Sequence, residues 1–541
     1  MSSKLIRGTF ILTFGTILSK VLGLLYVIPF YQIVGSEGAA LYQYSYIPYT
    51  IFISIATAGV PLAVSKFISK YNALEEYAVG RKLFKSGLLV MLLTGFASFL
   101  ILYLSAPAIA EWIFPKNDKE VASSIKDITT VIRAVSFALI VVPFMSLIRG
   151  FFQGHQSMGP SAVSQVVEQI VRIVFLLAGA FIVIQILDGS IVTAVSVATF
   201  AAFIGAIGSL VILFWYLYKR KPHLDELLRQ DKGTVQISLR EIYKEIIVYA
   251  APFVFVGIAG PLFQAIDQFT FTRALMEIGQ SKEAASAAFS ILNFESHKIV
   301  IIPVSLATGF SLALVPSITK AYVENNRRDL NTQLNQSFQI MLFLTLPAAV
   351  GISLLAEPVY TVFYEHKELG TEVLSVYAPV AILFALFLIT ASILQGINEQ
   401  RFTVLGLLVG LLIKLSLNIP LINLLGTKGA VLSTALGYSG SIFIYLFVIK
   451  KFAGYPFKLV WRRSLLIVIF AGLMWLGTGL IYQMLLLFLS PESKFQSLII
   501  IMISAGVGAI IYFYLGLKSG LVTRLFGNRV ERIKRKLGMG S

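Results

Sequence analysis

Lys20, Arg172, Lys298 and Lys414 each fall inside a long apolar run, about twelve residues from one of its ends. At 1.5 Å per helical residue that depth is roughly 18 Å, close to the middle of a bilayer. A charge there costs about 2.5–3.5 kcal/mol on insertion scales, so it persists only where it faces protein or water. The acids at comparable positions are fewer: Glu168, Asp267 and Glu295, with His297 beside Glu295 and Lys298. A surplus of Lys and Arg in a dry, walled space suits an anion, and phosphate oxygens in particular. Two plainer readings stand beside that one. Glu168 precedes Arg172 by four residues, the favourable order for an ion pair along one helix. Glu295 and Lys298, three apart, can neutralise each other and staple two helices. Glu168, Glu295, Asp267 and His297 are also the groups that coupling to a cation would use. Lys20 has no charged neighbour in its run, and Lys414 has Gly410 where an acid would have to stand.

Aromatic groups come next. The run LYQYSYIPY places Tyr42, Tyr44, Tyr46 and Tyr49 within eight residues. Tyrosine is enriched at membrane–water interfaces, which is the ordinary account of such a run. The functional alternative is that Tyr42, Tyr46 and Tyr49 offer a stacking surface to sugar rings. Nothing resembles a P-loop, an HExxH zinc site or a nucleophile elbow, and the chain has no cysteine. No metal, cofactor or catalytic residue is expected, and a transporter fits better than an enzyme.

The elements that must position these groups are membrane helices. The chain has 541 residues, 57% hydrophobic and 13% charged, against roughly 25% charged in soluble domains. Its mean hydropathy is +0.83. Apolar runs of about 20 residues number fourteen. Their approximate limits are 8–34, 40–66, 84–108, 128–149, 160–186, 190–218, 246–272, 286–318, 333–356, 373–396, 402–425, 429–449, 464–489 and 495–516. The first run continues as a spanning helix, so no cleaved signal peptide is expected. An even number of spans puts both termini on one side. Assigning the termini and the even-to-odd loops to that side collects 30 of the 44 Lys and Arg, against 7 in the opposite loops. Basic residues accumulate in the cytoplasm, so both termini are expected there. The mixed-charge loop Lys219–Arg240 is long enough for a small interfacial helix. The tail 517–541 holds seven basic residues and one acid. It is expected to lie on anionic inner-leaflet lipid, at about 1 kcal/mol per basic residue, and not on nucleic acid.

The chain also echoes itself. SIATAGVPLAVSKFISKY (Ser54–Tyr71) matches SLATGFSLALVPSITKAY (Ser305–Tyr322) at an offset of 251, and Gln153–Gly154 matches Gln395–Gly396 at 242. Spans 1–6 therefore correspond to spans 7–12. Six is even, so the repeats run parallel, and such repeats hold their substrate near the midplane. The expectation is an all-α integral membrane protein of about 14 transmembrane helices. Two parallel six-helix repeats surround a central cavity, with two extra helices at the C-terminus. Its parts are an N-terminal lobe (1–218), a linker (219–245), a C-terminal lobe (246–451), spans 13–14 (452–516) and a basic tail (517–541).

LSKVLGLLYVIPFYQIVGSEG (Leu18–Gly38), the FFQG and ILQG repeats and LALVPSITKAY (Leu312–Tyr322) resemble the multidrug/oligosaccharidyl-lipid/polysaccharide exporter superfamily. Within it the whole chain is similar to the lipid II flippase family MurJ, in its stage V sporulation protein B/YtgP-like branch. That resemblance implies a bacterial cell-membrane protein with a V-shaped cationic cavity and a hydrophobic groove made by the two additional helices. The implied cargo is an undecaprenyl-diphosphate-linked glycan, lipid II, moved from the inner to the outer leaflet. Lys20 occupies the place of a family arginine in the first span, and Lys298, allowing a one-residue gap, that of another in span 8. The chain departs from the Gram-negative pattern at Tyr26, where a second arginine would stand, and at Thr50 or Phe52 in span 2. Arg172 and Lys414 are the residues available to substitute. The competing readings are a multidrug cation exporter of the same superfamily and a membrane glycosyltransferase or polymerase on the same lipid. The cationic centre and the fourteen spans disfavour the first, and the short outer loops disfavour the second.

Overall fold

Apolar runs this long can satisfy their backbone groups in hydrocarbon only as helices. The computed structural model describes the backbone of residues 15, 18–19, 22–23, 25–57, 60–113, 119–234 and 237–526, and no strand occurs among them. The helices are α1 (Val27–Thr57), α2 (Val60–Ala73), α3 (Tyr77–Ile113), α4 (Lys119–Ser136), α5 (Ala138–Gly154), α6 (Met158–Phe181), α7 (Ile191–Arg229), α8 (Leu239–Glu277) and α9 (Lys282–Ser290). A π turn, Ile291–Ser296, leads into α10 (His297–Val323). The chain continues with α11 (Arg327–Leu354), α12 (Ala356–Phe363), α13 (Glu368–Tyr377), α14 (Val380–Gly396), α15 (Arg401–Leu425), α16 (Thr427–Ala453), α17 (Lys458–Leu486), α18 (Lys494–Lys518) and α19 (Leu521–Phe526).

Twelve helical stretches among the described residues are long and apolar enough to cross a membrane, from Tyr77–Ile113 to Lys494–Lys518. They coincide one for one with expected spans 3 to 14. The first two spans meet inside α1 at Gly35, whose φ of 66° and ψ of −169° interrupt the helix. A side chain would be strained in that conformation. The loop expected to hold an interfacial helix instead extends span 6, because α7 runs unbroken to Arg229 through Pro222.

Polar residues mark the ends. Ser190 accepts a hydrogen bond from the Thr193 amide at the start of α7. Ser238 and Glu241 form a reciprocal capping box on α8, and Asn326 caps α11. The lipid-facing surface is apolar. On α3, Leu89, Leu93, Phe96, Leu100 and Leu104 are exposed at spacings of three and four, which is one helix face.

The helices gather into two compact units, Met1–Ser290 and Ile291–Ser541. In the first, α1 packs on α8, α4 and α7, and α6 lies along α7. The α6–α7 approach is close: a Cβ on Gly205 would come within 2.9 Å of the Arg172 Cβ, and one on Gly208 within 3.0 Å of Val171. In the second unit α15 pairs with α16, α10 with α14, and α17 with α18. Spans 13 and 14 dock there through Phe343, Phe470, Met474 and Tyr512, and the Tyr512 hydroxyl donates to the Phe343 carbonyl at 3.0 Å. The packing boundary falls later than the repeat boundary expected at 219–245, because α8 and α9 are held in the first unit. Tyr44 explains this, since it bonds Thr272 at 2.6 Å and stacks on Phe289 at 4.1 Å.

The internal echo extends to backbone geometry. After α5, the amides of His155, Gln156 and Ser157 bond the carbonyls of Phe151, Gln153 and Phe152. After α14, Ile397, Asn398 and Glu399 repeat that pattern on Ile393, Gln395 and Leu394. Gln156 and Asn398 share a left-handed conformation, with φ of 57° and 62°.

Candidate functional site

In the first unit the site centres on Arg172 of α6. Its Nη2 donates to the hydroxyls of Tyr46 at 2.6 Å and Tyr42 at 3.2 Å, and its guanidinium lies 5.4 Å from the Tyr46 ring centre. Tyr42 stacks on Tyr46 at 5.0 Å, and Tyr46 meets Tyr49 at 5.1 Å. Tyr26 adds its hydroxyl 3.4 Å from that of Tyr42. Tyr26, which the resemblance sets at the place of a family arginine, thus joins a phenol cluster. Helical spacing of 42, 46 and 49 on α1 makes this possible, because positions three and four apart share a face. Tyr42 and Tyr49 are buried. Both rings are covered by protein, whereas Tyr46 is half-buried.

The expected Glu168–Arg172 pair does not form. Glu168 instead accepts from Arg149 of α5 at 2.7 Å. Arg149 also donates to Ser164 at 2.9 Å and to Ser209 at 2.8 Å. Three acceptors on two neighbouring helices outweigh one intrahelical pair, which contributes only about 0.2–0.5 kcal/mol. Arg172 is left with phenols, which are neutral. Asp267 of α8 is buried, 4% exposed.

In the second unit the π turn brings three expected residues to the head of α10. Glu295 is fully buried; the Tyr360 hydroxyl donates to its carboxylate and the Tyr364 hydroxyl to its carbonyl oxygen at 3.1 Å. The Glu295–Lys298 neutralising pair is therefore absent. A helix places residues three apart on one face only when it is regular, and here the π turn intervenes. His297 Nδ1 lies 2.9 Å from the Tyr377 hydroxyl. Lys298 is half-buried with its ammonium 5.8 Å from the Phe294 ring, and it makes no ion pair among the described residues. Lys414 is fully buried between α15 and α16, where Nζ donates to Thr434 Oγ1 at 2.5 Å. It is enclosed by its helix pair, not on an open wall. Lys20 and the tail from 527 onward lie outside the described residues.

The sequence reading missed Arg149, Tyr360, Tyr364 and Tyr377. Arg149 ends a span and counts there as a loop-edge cation. The signal for Tyr360 and Tyr364 was their spacing of four, one in the short helix α12 and the other directly after its last residue.

These membrane helices, with positive charge held by neutral groups, can accept an anion at depth. The sequence compares accordingly. The profile of the polysaccharide biosynthesis protein family matches residues 5–322, and that of MatE residues 262–421. The chain is 48% identical over 541 residues to Lipid II flippase MurJ of Bacillus subtilis, covering 99% of both chains. The chain belongs to the MurJ family. It is also 24% identical to Stage V sporulation protein B of Bacillus subtilis, over 80% of this chain and 81% of that one. Among solved structures, lipid II flippase MurJ in an inward closed conformation superposes with a TM-score of 0.64 at 16% identity, covering 95% of this chain and 99% of that one. An inward-facing multidrug resistance MATE transporter gives 0.65 at 17%, covering 80% and 95%. The shared MurJ fold accounts for the all-helical membrane architecture.

Proposed function

We propose that this MurJ-family protein is a lipid II flippase. It carries the undecaprenyl-diphosphate-linked peptidoglycan precursor from the inner to the outer leaflet of the bacterial cell membrane by alternating access through a cationic cavity. The observation that carries this reading is positive charge without a carboxylate partner in membrane helices. Arg172 is held by phenols and Lys298 has no ion pair among the described residues, in a chain 48% identical throughout to a named lipid II flippase. A diphosphate is the anion such charges suit, because ammonium and guanidinium donors match its oxygens.

In this proposal Lys298, with Lys20, binds the diphosphate, and the phenol ring around Arg172 sets the direction of its remaining donors. Lys414 is a structural cation. Glu295, His297 and Asp267 are the candidates for coupling to a cation driven by the membrane potential, worth about 2.3 kcal/mol per charge per 100 mV. Both termini lie in the cytoplasm, and the basic tail rests on anionic inner-leaflet lipid. A strain depleted of its own lipid II flippase should grow when it carries this protein. No growth at normal membrane abundance would overturn the proposal.

A further inference from the structure

Outside the membrane-depth charges, the first unit has a cavity of about 300 Å³ on one loop face. It is bounded by the end of α2, the turn between α5 and α6, and the part of α7 that runs past the apolar span. Among its lining residues are Asn72, Tyr77, His155, Gln156, Arg220 and His223. That volume is at the lower end of small-molecule sites, which span about 300–1,000 Å³.

The walls are braced from outside. Arg81 bonds Asp225 at 2.7 Å, Asp231 accepts from the Ala78 amide at 2.7 Å, and Lys232 meets Glu75 at 2.8 Å. Glu76 accepts from the Thr234 amide at 2.9 Å, and Glu226 lies 3.8 Å from Arg229. Each of these acids is already engaged away from the cavity. Arg220 is left with a hydrogen bond to the neutral Ser157 hydroxyl and a place 5.8 Å from the Phe152 ring. It has no carboxylate among the described residues, and the side chains of Asn72, Gln156 and His223 have no hydrogen-bond partner there. His155 places Nδ1 3.0 Å from the Phe151 carbonyl oxygen. A carbonyl only accepts, so Nδ1 carries the proton; burial pushes this imidazole below its ordinary range, so Nε2 is an acceptor. The cavity therefore combines a cation and amide donors with the His155 ring acceptor and a second imidazole, His223, over an apolar floor of Phe152, Leu224 and Leu227.

We propose that this cavity binds a phosphate group carrying a neighbouring hydroxyl, a glycerol-phosphate type of ligand, with Arg220 on the phosphate and His155 on the hydroxyl. The same chemistry comes from a phosphatidylglycerol headgroup or from a soluble phosphomonoester. The face is the one that the basic-residue count assigns to the cytoplasm, where both are at hand.

The test uses the full-length protein in neutral-lipid nanodiscs. Glycerol 3-phosphate is titrated while thermal stability is followed; in parallel, phosphatidylglycerol replaces part of the neutral lipid. Saturable stabilisation by the soluble ester, by the lipid, or by both supports the site, and the arm that responds identifies the source. Arg220→Gln should weaken that binding at least fivefold. Lys219→Gln, which removes the same charge one residue away where it lies against Trp215, should leave it unchanged. If Arg220→Gln fails to fold, Ser157→Ala keeps the guanidinium and removes its internal acceptor; it should bind at least as tightly as the unaltered protein. Inorganic phosphate should bind more weakly than glycerol 3-phosphate, and His155→Phe should abolish that preference. Absence of stabilisation by either ligand, or equal weakening by Lys219→Gln, would overturn the proposal.

Discussion

Arg172 keeps its charge among phenols, while four residues away on the same helix Glu168 gives its carboxylate to Arg149. Both choices follow from what each side chain reaches across the helix packing. Arg149 and Glu168 are largely buried, so removing one strands the other in a low dielectric. Arg149→Ala should therefore destabilise the protein by about 3–5 kcal/mol and lower its membrane abundance. Glu168→Ala/Arg149→Ala should recover much of that loss, whereas Arg172→Ala/Arg149→Ala should not, and immunoblotting of membranes reads the difference. Equal rescue by both pairs would contradict the assignment. Tyr360→Phe gives a second, smaller effect: it leaves the buried Glu295 carboxylate one donor short, at about 1–3 kcal/mol, seen as a lower melting temperature. The sequence showed which residues were charged at membrane depth but not how they paired. Glu168 and Arg172 are neighbours in sequence and Glu168 and Arg149 only in space, so helix periodicity ranked them in the wrong order. The phenol clamp was hidden for the same reason, because interfacial enrichment explains Tyr42, Tyr46 and Tyr49 equally well until α6 is placed beside α1.

Helices, by contrast, were legible in their order and approximate position. A run of twenty apolar residues has one way to satisfy its backbone in lipid, so spans 3 to 14 appear with their order and approximate limits intact. What length and hydropathy do not encode is how closely two helices approach. Gly205 and Gly208 set that distance between α6 and α7, and no apolar count distinguishes them from the spacing glycines elsewhere. Gly205→Val should push the backbones apart at Glu168 and Arg172 and cost about 1–3 kcal/mol as overpacking. Gly159→Ala, in the first turn of α6 where a Cβ would meet nothing within 4 Å, should be neutral or slightly stabilising. Thermal melts of the two purified variants compare them directly, and a Gly205→Val melt at the unaltered temperature would show that α6 and α7 tolerate separation. The π turn Ile291–Ser296 was equally invisible to a reading by 3.6-residue period. Its extra residue per turn is what carries Glu295 away from Lys298 and toward Tyr360.

For the whole molecule the question is which charges face the cargo. The proposed topology has both termini in the cytoplasm, and the chain has no native cysteine. A single cysteine at Ser541 should resist an impermeant thiol reagent added to intact cells and react once the cells are opened. Labelling from outside would reverse the topology and with it the assignment of inner loops. In the sequence Lys20 and Lys298 each stand about twelve residues into an apolar run, and both are proposed to bind the diphosphate. Lys298 has no ion pair among the described residues that its loss would strand, so Lys298→Ala should fold and reach the membrane at normal levels. Each ammonium offers up to three donors to phosphate oxygens, and the low dielectric strengthens that attraction. Lys298→Ala and Lys20→Ala should each abolish growth in a strain that depends on this protein, with membrane abundance preserved. Lys298→Arg should be tolerated better, because it keeps the charge while changing the donor geometry. Full growth supported by a well-expressed Lys20→Ala/Lys298→Ala protein would show that the headgroup is handled elsewhere.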